Sequence, residues 1–276
     1  MKFLKDFKYL FILIGGLILF LVGSFFGIFM AYLISGKGME FESFYEIIYY
    51  FSNYYNDGLT ESGEVISQVV QEYFTNNPEY LEIGKYANVL IQFFAYIPLL
   101  VFFAIFLIKD FIRDGKEFGK DLNENIKKCG IWFGILLGAT ILISNIYAIL
   151  EIGGQSDNES LLALMMDNDS KFLFFITIVI VGPFVEEVLY RKLIFDTVEH
   201  SFKLKPIYAI VISVAVFALI HVSDAENIIY VFQYAAMAIP ITLSYHYSKN
   251  NLFVSYGVHM LNNLLVAILY LVPMPV

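Results

Sequence analysis

Cysteine, histidine and charge are all scarce in this chain of 276 residues. The single Cys129 excludes a disulfide framework and a multi-cysteine metal site. Charged residues are 16% of the total, against about a quarter in an ordinary soluble domain. No basic patch is present, which removes nucleic acid from the partners to consider. The net charge of −9 does not imply a basic partner, because the excess acid is concentrated in one segment. Only four histidines occur, so where they fall carries information.

What the chain has instead is apolar: 59% of it is hydrophobic, with 28 Phe and 20 Tyr, and these arrive in long runs. A membrane-crossing helix needs about 20 mostly apolar residues. Such runs fall at about 9–35, 87–108, 129–150, 171–190, 206–222, 228–247 and 252–272. The expected fold is therefore all-α, a polytopic transmembrane bundle of about seven spans. The first run follows Lys2, Lys5 and Lys8 but is too long for a signal peptide, and no small-residue cleavage site follows it closely. It is read as a retained span.

Residues 36–86 differ from the rest. They hold nine acidic residues against Lys37 and Lys85, a tyrosine cluster at 45, 49, 50, 54 and 55, and turn signals at Asp57-Gly58 and Asn77-Pro78. Val65, Ile66, Val69, Val70 and Tyr73 recur at helical spacing. This segment reads as an extracytoplasmic cap of short amphipathic helices at the membrane interface. The stretch 109–128, read as a loop, carries six Lys/Arg, whereas 151–170 carries none. Basic loops stay in the cytoplasm, which places the N-terminus inside and Arg191, Lys192, Lys203, Lys205 and Lys249 on the inner side. The chain divides into an N-terminal span (1–35), the acidic aromatic-rich segment (36–86), two accessory spans (87–160) and a membrane core (161–276). Gly23/Gly27 and Gly130/Gly134/Gly138 have the four-residue spacing that lets helices approach closely in lipid.

Ionisable residues inside spans are costly and usually functional. The fourth span ends in Val181-Gly-Pro-Phe-Val-Glu-Glu-Val-Leu-Tyr-Arg191. Glu187 and Arg191 are four apart, the spacing of a same-face ion pair, and are read as structural support. Glu186 points about 100° away and is free to act as a general base. The plainer reading is that both glutamates sit in water at the interface. The fifth span ends in Phe217-Ala-Leu-Ile-His221, with Phe217 one turn below His221 and able to fix its ring. A single His there is more often structural than catalytic. In the seventh span His259 and Asn263 share a face and suit the donation of hydrogen bonds to a developing oxyanion. The same imidazole also suits a metal. Asn262 points away and is read as a packing residue. His200 and His246, in or beside inner loops, are assigned no role.

Glu-Glu-x-x-x-Arg (186–191), Phe-x-x-x-His (217–221) and His-x-x-x-Asn (259–263), in that order on successive apolar segments, resemble the CAAX protease and bacteriocin-processing (Abi, CPBP) family of intramembrane endopeptidases. The likeness covers about 165–272. It implies a hydrolase of the integral cell membrane, acting on a peptide or membrane-protein substrate. Carried over, Glu186 would activate water, His221 would assist as a second base or ligand, and His259 and Asn263 would stabilise the oxyanion. A divalent metal such as zinc, held by Glu186, His221 and His259, is the alternative; the helical His pair of soluble zinc proteases is absent. A non-catalytic scaffold or bacteriocin-immunity protein is the competing function, and its relatives would be expected to lose motif residues. Transport lacks an acidic relay across the spans. A serine mechanism through Ser223 or Ser255 lacks an acid partner.

One expectation concerns depth. His221 lies about 22 Å along its span, while His259 is only about 10 Å into its own. Straight, evenly placed spans would keep them apart. The motifs meet only if the fourth and fifth helices are deeply set, with 191–202 partly inside the protein, or if Ser223–Asn227 dips into a cavity.

Overall fold

The computed structural model describes residues 7–36, 38–55, 64–152, 157–166, 171–222 and 226–271. Lys2, Lys5, Lys37, the Asp57-Gly58 turn and Ser223 lie outside the described residues. Those described are almost entirely helical: α1 (Lys8–Ser35), α2 (Phe41–Ser52), α3 (Ile66–Asn76), α4 (Pro78–Lys120), α5 (Leu122–Ile149), α6 (Asp157–Met166), α7 (Lys171–Ser201), α8 (Pro206–Ile220), α9 (Val231–Tyr247) and α10 (Leu252–Leu271). A short 3-10 turn, Glu226–Tyr230, leads into α9.

Six helices among the described residues are long and apolar enough to cross a membrane. The expected seventh, α8, is shorter than the apolar run that suggested it. Its 15 residues span about 22 Å, below the ~30 Å of a hydrocarbon core. The outer faces of the bundle carry exposed Phe25, Val101, Ile131, Leu142 and Ile149. In water such a surface would aggregate; in lipid it is solvated. Burial is lowest along α5 and highest along α7, with α9 and α10 close behind. The helices bearing the three motifs are thus the interior of the bundle.

Two sequence expectations change. The 109–128 stretch is not a loop: α4 runs unbroken through it to Lys120, and α5 starts at Leu122. At 43 residues α4 is about 65 Å long. Polar composition was taken for a loop, but this stretch lacks a helix breaker at its centre and its acids are held. Asp110 accepts from Lys8 at 2.6 Å, and Asp114 pairs with Arg113 at 2.7 Å. Second, Arg191 and Lys192 are not on an inner-side loop. α7 continues to Ser201 and buries both completely. Lys192 lies 3.3 Å from both Asp114 and Asp196, and Tyr245 donates to Asp196 at 2.9 Å. These contacts tie α1, α4, α7 and α9 together at one end, so 191–201 lies inside the protein. The same extension brings His200 within 4.0 Å of Asp196 and 3.8 Å of Glu199, company that the sequence reading did not give it.

α1 packs lengthwise on α4, and its glycines explain how closely. A Cβ at Gly23 would sit 2.7 Å from the Ala95 carbonyl oxygen, and one at Gly27 2.5 Å from that of Ile91. Backbone cannot move aside as a side chain can. The glycines of α5 differ, because Gly130, Gly134 and Gly138 meet nothing within 4 Å. We expect Gly27→Val to cost about 1–3 kcal/mol through forced separation of α1 and α4, and Gly134→Ala to stay within about 0.5 kcal/mol. Thermal denaturation of both variants in detergent measures the contrast, and equal melting points would refute the close-packing account.

Candidate active site

The site is built on a helix that changes pitch. Within α7, Ile176–Val181 and Val188–Phe195 are wound as π-helix, and the six residues between them, Gly182–Glu187, are α-helical. π segments leave carbonyls without their usual donors and are frequent at functional sites. Here the Gly182 amide donates to Thr177 O, and Pro183 has no N–H to offer. The Ile178 carbonyl is instead capped by Asn263 Nδ2 at 2.8 Å, and the Ile180 carbonyl by the Tyr256 hydroxyl at 3.2 Å. Side chains of α10 thus hold the irregular part of α7. The neighbouring Asn262 amide donates to Asn263 Oδ1 at 3.3 Å, which orients the Asn263 amide.

The two adjacent glutamates separate into different environments. Glu187 is fully buried, with Arg191 Nη1 3.2 Å and His259 Nδ1 2.9 Å from its Oε1. The Arg191 guanidinium lies over the rings of Phe217 at 5.0 Å and Tyr190 at 5.7 Å, a favourable setting for a desolvated cation. Glu187 therefore does more than pair with Arg191: by accepting from Nδ1 it sets which nitrogen of His259 faces the cavity. Ser255, one candidate nucleophile, is buried and donates to Leu252 O at 3.1 Å.

Glu186 is on the accessible side, its side chain 21% exposed. Its Oε2 is 4.0 Å from His221 Nε2 and 3.8 Å from His259 Nε2. α8 ends at His221, whose own amide turns to Leu219 O and leaves Phe217 O open. The His221 ring takes it, with Nδ1 donating at 2.7 Å. Phe217 stacks on His221 at 4.4 Å and meets His259 edge-on at 5.9 Å, spacing the two imidazoles. The second face of His221 meets Tyr234 of α9, at 4.9 Å and 33°.

Glu186, His221 and His259 therefore converge, although their sequence depths argued against it. Of the two routes considered, the deep setting of α7 is what the described residues display. Asn263 lies on the same face of α10 but has one amide hydrogen committed to α7. The sequence reading missed Tyr234 and Tyr256. Nothing distinguishes two tyrosines among 20 before their neighbours are known.

Both imidazoles donate from Nδ1, so in their neutral forms both direct a lone pair from Nε2 towards Glu186. That is the donor chemistry of a metal site. The spacing is wider than a metal wants: ligand atoms at about 2.0–2.1 Å from zinc lie only about 3.4 Å apart. Among the described residues the one His/Asp/Glu group with all ligand atoms within 4.8 Å of one another is Asp196, Glu199 and His200. Glu186, His221 and His259 do not gather a three-ligand zinc centre in this arrangement. A water 2.8 Å from Glu186 Oε2 and from either Nε2 would fit, subtending an angle of about 90°.

Breaking a buried ion pair by removing one member costs about 3–5 kcal/mol. Arg191→Met should destabilise the protein on that scale in denaturant unfolding. The Arg191→Met/Glu187→Gln double variant should recover part of the loss. A double variant less stable than the single one would show that the charge balance at Glu187 is not what Arg191 supplies.

Comparison with known proteins agrees with the motifs. Residues 168–265 match the family described as type II CAAX prenyl endopeptidase Rce1-like. The membrane-embedded CAAX protease MroQ of Staphylococcus aureus (strain USA300) is 31% identical over 134 residues, 48% of this chain and 51% of that protein. The chain thus spans about half the length of this curated relative. No solved structure gives a significant match. The resemblance carried by Glu186-Glu187-Arg191, Phe217-His221 and His259-Asn263 is therefore shown over the stretch that holds all three motifs: residues 168–265 match the Rce1-like CAAX endopeptidase family.

Proposed function

We propose that this protein is an intramembrane endopeptidase, hydrolysing peptide bonds of a membrane-associated protein or peptide precursor with water activated by Glu186. The observation that carries this reading is the approach of Glu186 Oε2 to the Nε2 atoms of His221 and His259 in a partly accessible pocket of an otherwise apolar bundle. The family match over 168–265 and the likeness to a protein named a membrane-embedded CAAX protease support it.

The roles follow from which atoms hold protons. Glu186 and Glu187 carry two negative charges and Arg191 one positive, so a single imidazolium balances the group. His259 touches both carboxylates and is 2% exposed, and we assign the extra proton to its Nε2. His221 is neutral, with its Nε2 lone pair available to accept. Water held between Glu186 and His221 gives a proton to Glu186 as its oxygen attacks the scissile carbonyl carbon. The His259 Nε2–H and the second amide hydrogen of Asn263 donate to the oxyanion that forms. Glu186 then passes its proton to the departing amine nitrogen as the C–N bond breaks. Phe217 and the Glu187–Arg191 pair support the rings. No step is routed through a metal.

In the proposed topology the N-terminus and the 109–128 end are cytoplasmic, and 36–86 is outside, forming with the first and accessory spans the parts that set substrate or partner. The lipid bilayer and a peptide or membrane-protein substrate are the partners.

Glu186→Gln should lower cleavage of peptide substrates in membranes by about 10²-fold or more, the scale of general-base catalysis; cleavage at the wild-type rate would sink the reading. Chelators should leave turnover within about twofold, and loss restored by zinc would replace the metal-free scheme. In a Cys129→Ser background, Tyr45→Cys should react with an impermeant maleimide on intact cells and Lys116→Cys should not. The reverse labelling would invert the topology.

A further inference from the structure

The three motifs account for one face of His221 and leave the other to a residue outside them. Phe217 covers the first face at 4.4 Å and 27°. Tyr234 lies at 4.9 Å and 33°. Two rings that close to one imidazole, each tilted by only about 30°, cannot share a face without overlapping, so the imidazole is held between them. His221 needs this more than His259 does. It sits at the end of α8, where the helix gives way, and its side chain is 19% exposed against 2% for His259. Its Nδ1 bond to Phe217 O fixes one atom of the ring but leaves rotation about that contact. A ring on each face removes it.

Tyr234 is itself well placed to hold. It is 5% exposed, and its part of the chain is fixed from outside the motif helices. The Tyr147 hydroxyl on α5 donates to Ile229 O at 2.6 Å, and Gln233 donates to Glu159 of α6 at 2.8 Å. Both bonds lie within five residues of Tyr234, and both come from the part of the chain preceding the family match.

We propose that Tyr234 is a positioning residue for His221, closing the second face of its ring so that Nε2 stays directed at Glu186, and that α5 and α6 hold Tyr234 in place. The proposal rests on the endopeptidase reading for its kinetic consequence but not for its geometry. It is the stacked ring that acts, so Tyr234→Phe should keep kcat within about twofold of wild type. Tyr234→Leu should lower kcat about tenfold or more with KM changed less than about twofold, because misorientation of a catalytic group costs rate rather than binding. Full kcat in Tyr234→Leu, or an equal loss in Tyr234→Phe, would overturn the proposal.

A second measurement does not need turnover. Diethyl pyrocarbonate modification of His221, followed by peptide mass mapping of the full chain in lipid, should speed up at least about threefold in Tyr234→Leu. It should be unchanged in Tyr234→Phe, while the buried His259 stays protected in both and reports an intact bundle. Equal His221 rates in all three proteins would overturn the clamp even if the protein proved to cleave nothing. Normal wild-type cleavage insensitive to Glu186→Gln would instead refute the endopeptidase scheme alone.

Discussion

Glu187 is a carboxylate taken out of water completely, and much of the site can be understood as the means of balancing it. An uncompensated charge at such a depth would cost several kcal/mol. Arg191 supplies the opposite charge from one helical turn away, and the aromatic rings of Phe217 and Tyr190 accept the guanidinium where water cannot. His259 supplies the hydrogen bond. Once that bond exists, the His259 ring has a fixed orientation and its other nitrogen faces Glu186. A structural requirement, the neutralisation of one buried acid, thereby sets the geometry of the reacting groups. This is why a pair of adjacent glutamates divides into one that is inaccessible and one that meets the cavity.

The second constraint comes from the backbone of α7. Pitch changes on both sides of Gly182–Glu187 leave carbonyls that need donors, and α10 provides them through Asn263 and Tyr256. Asn263 therefore joins two roles that sequence would treat separately. One hydrogen of its amide anchors a helix, and the other is available for chemistry. The inner end of the bundle is fixed by different means, a buried network of Lys192, Asp196, Asp114 and Tyr245, so that the glutamates lie between two fixed regions of α7.

How far the sequence could lead is clear from individual residues. Long apolar runs disclose helices in lipid because nothing else satisfies the backbone there, and five of the seven runs became long helices close to or beyond the expected bounds. Glu186, His221 and His259 stood out because ionisable groups are rare in such runs. What could not be read was anything decided by partners far along the chain. Asp110 and Asp114 made 109–128 look like a loop, since their companions Lys8 and Lys192 are up to 102 residues distant. Arg191 and Lys192 looked like inner-surface cations for the same reason. α8 fell short because an apolar count does not register where the helix ends, and Tyr234 was hidden among many tyrosines that only packing can rank.

The pitch changes of α7 have a bearing on length variation in this helix. A π stretch is the geometry of a helix with one residue more than its α-helical turns require. Deleting a single residue from 176–181 would let that stretch relax to regular α-helix while turning everything beyond it by about 100°. Glu186 would then leave the histidines and Glu187 would lose Arg191's partner position relative to α10. Residues elsewhere in the spans tolerate exchange of one apolar side chain for another, but this segment counts its residues. Loss of one is a change of register that no neighbouring substitution can undo.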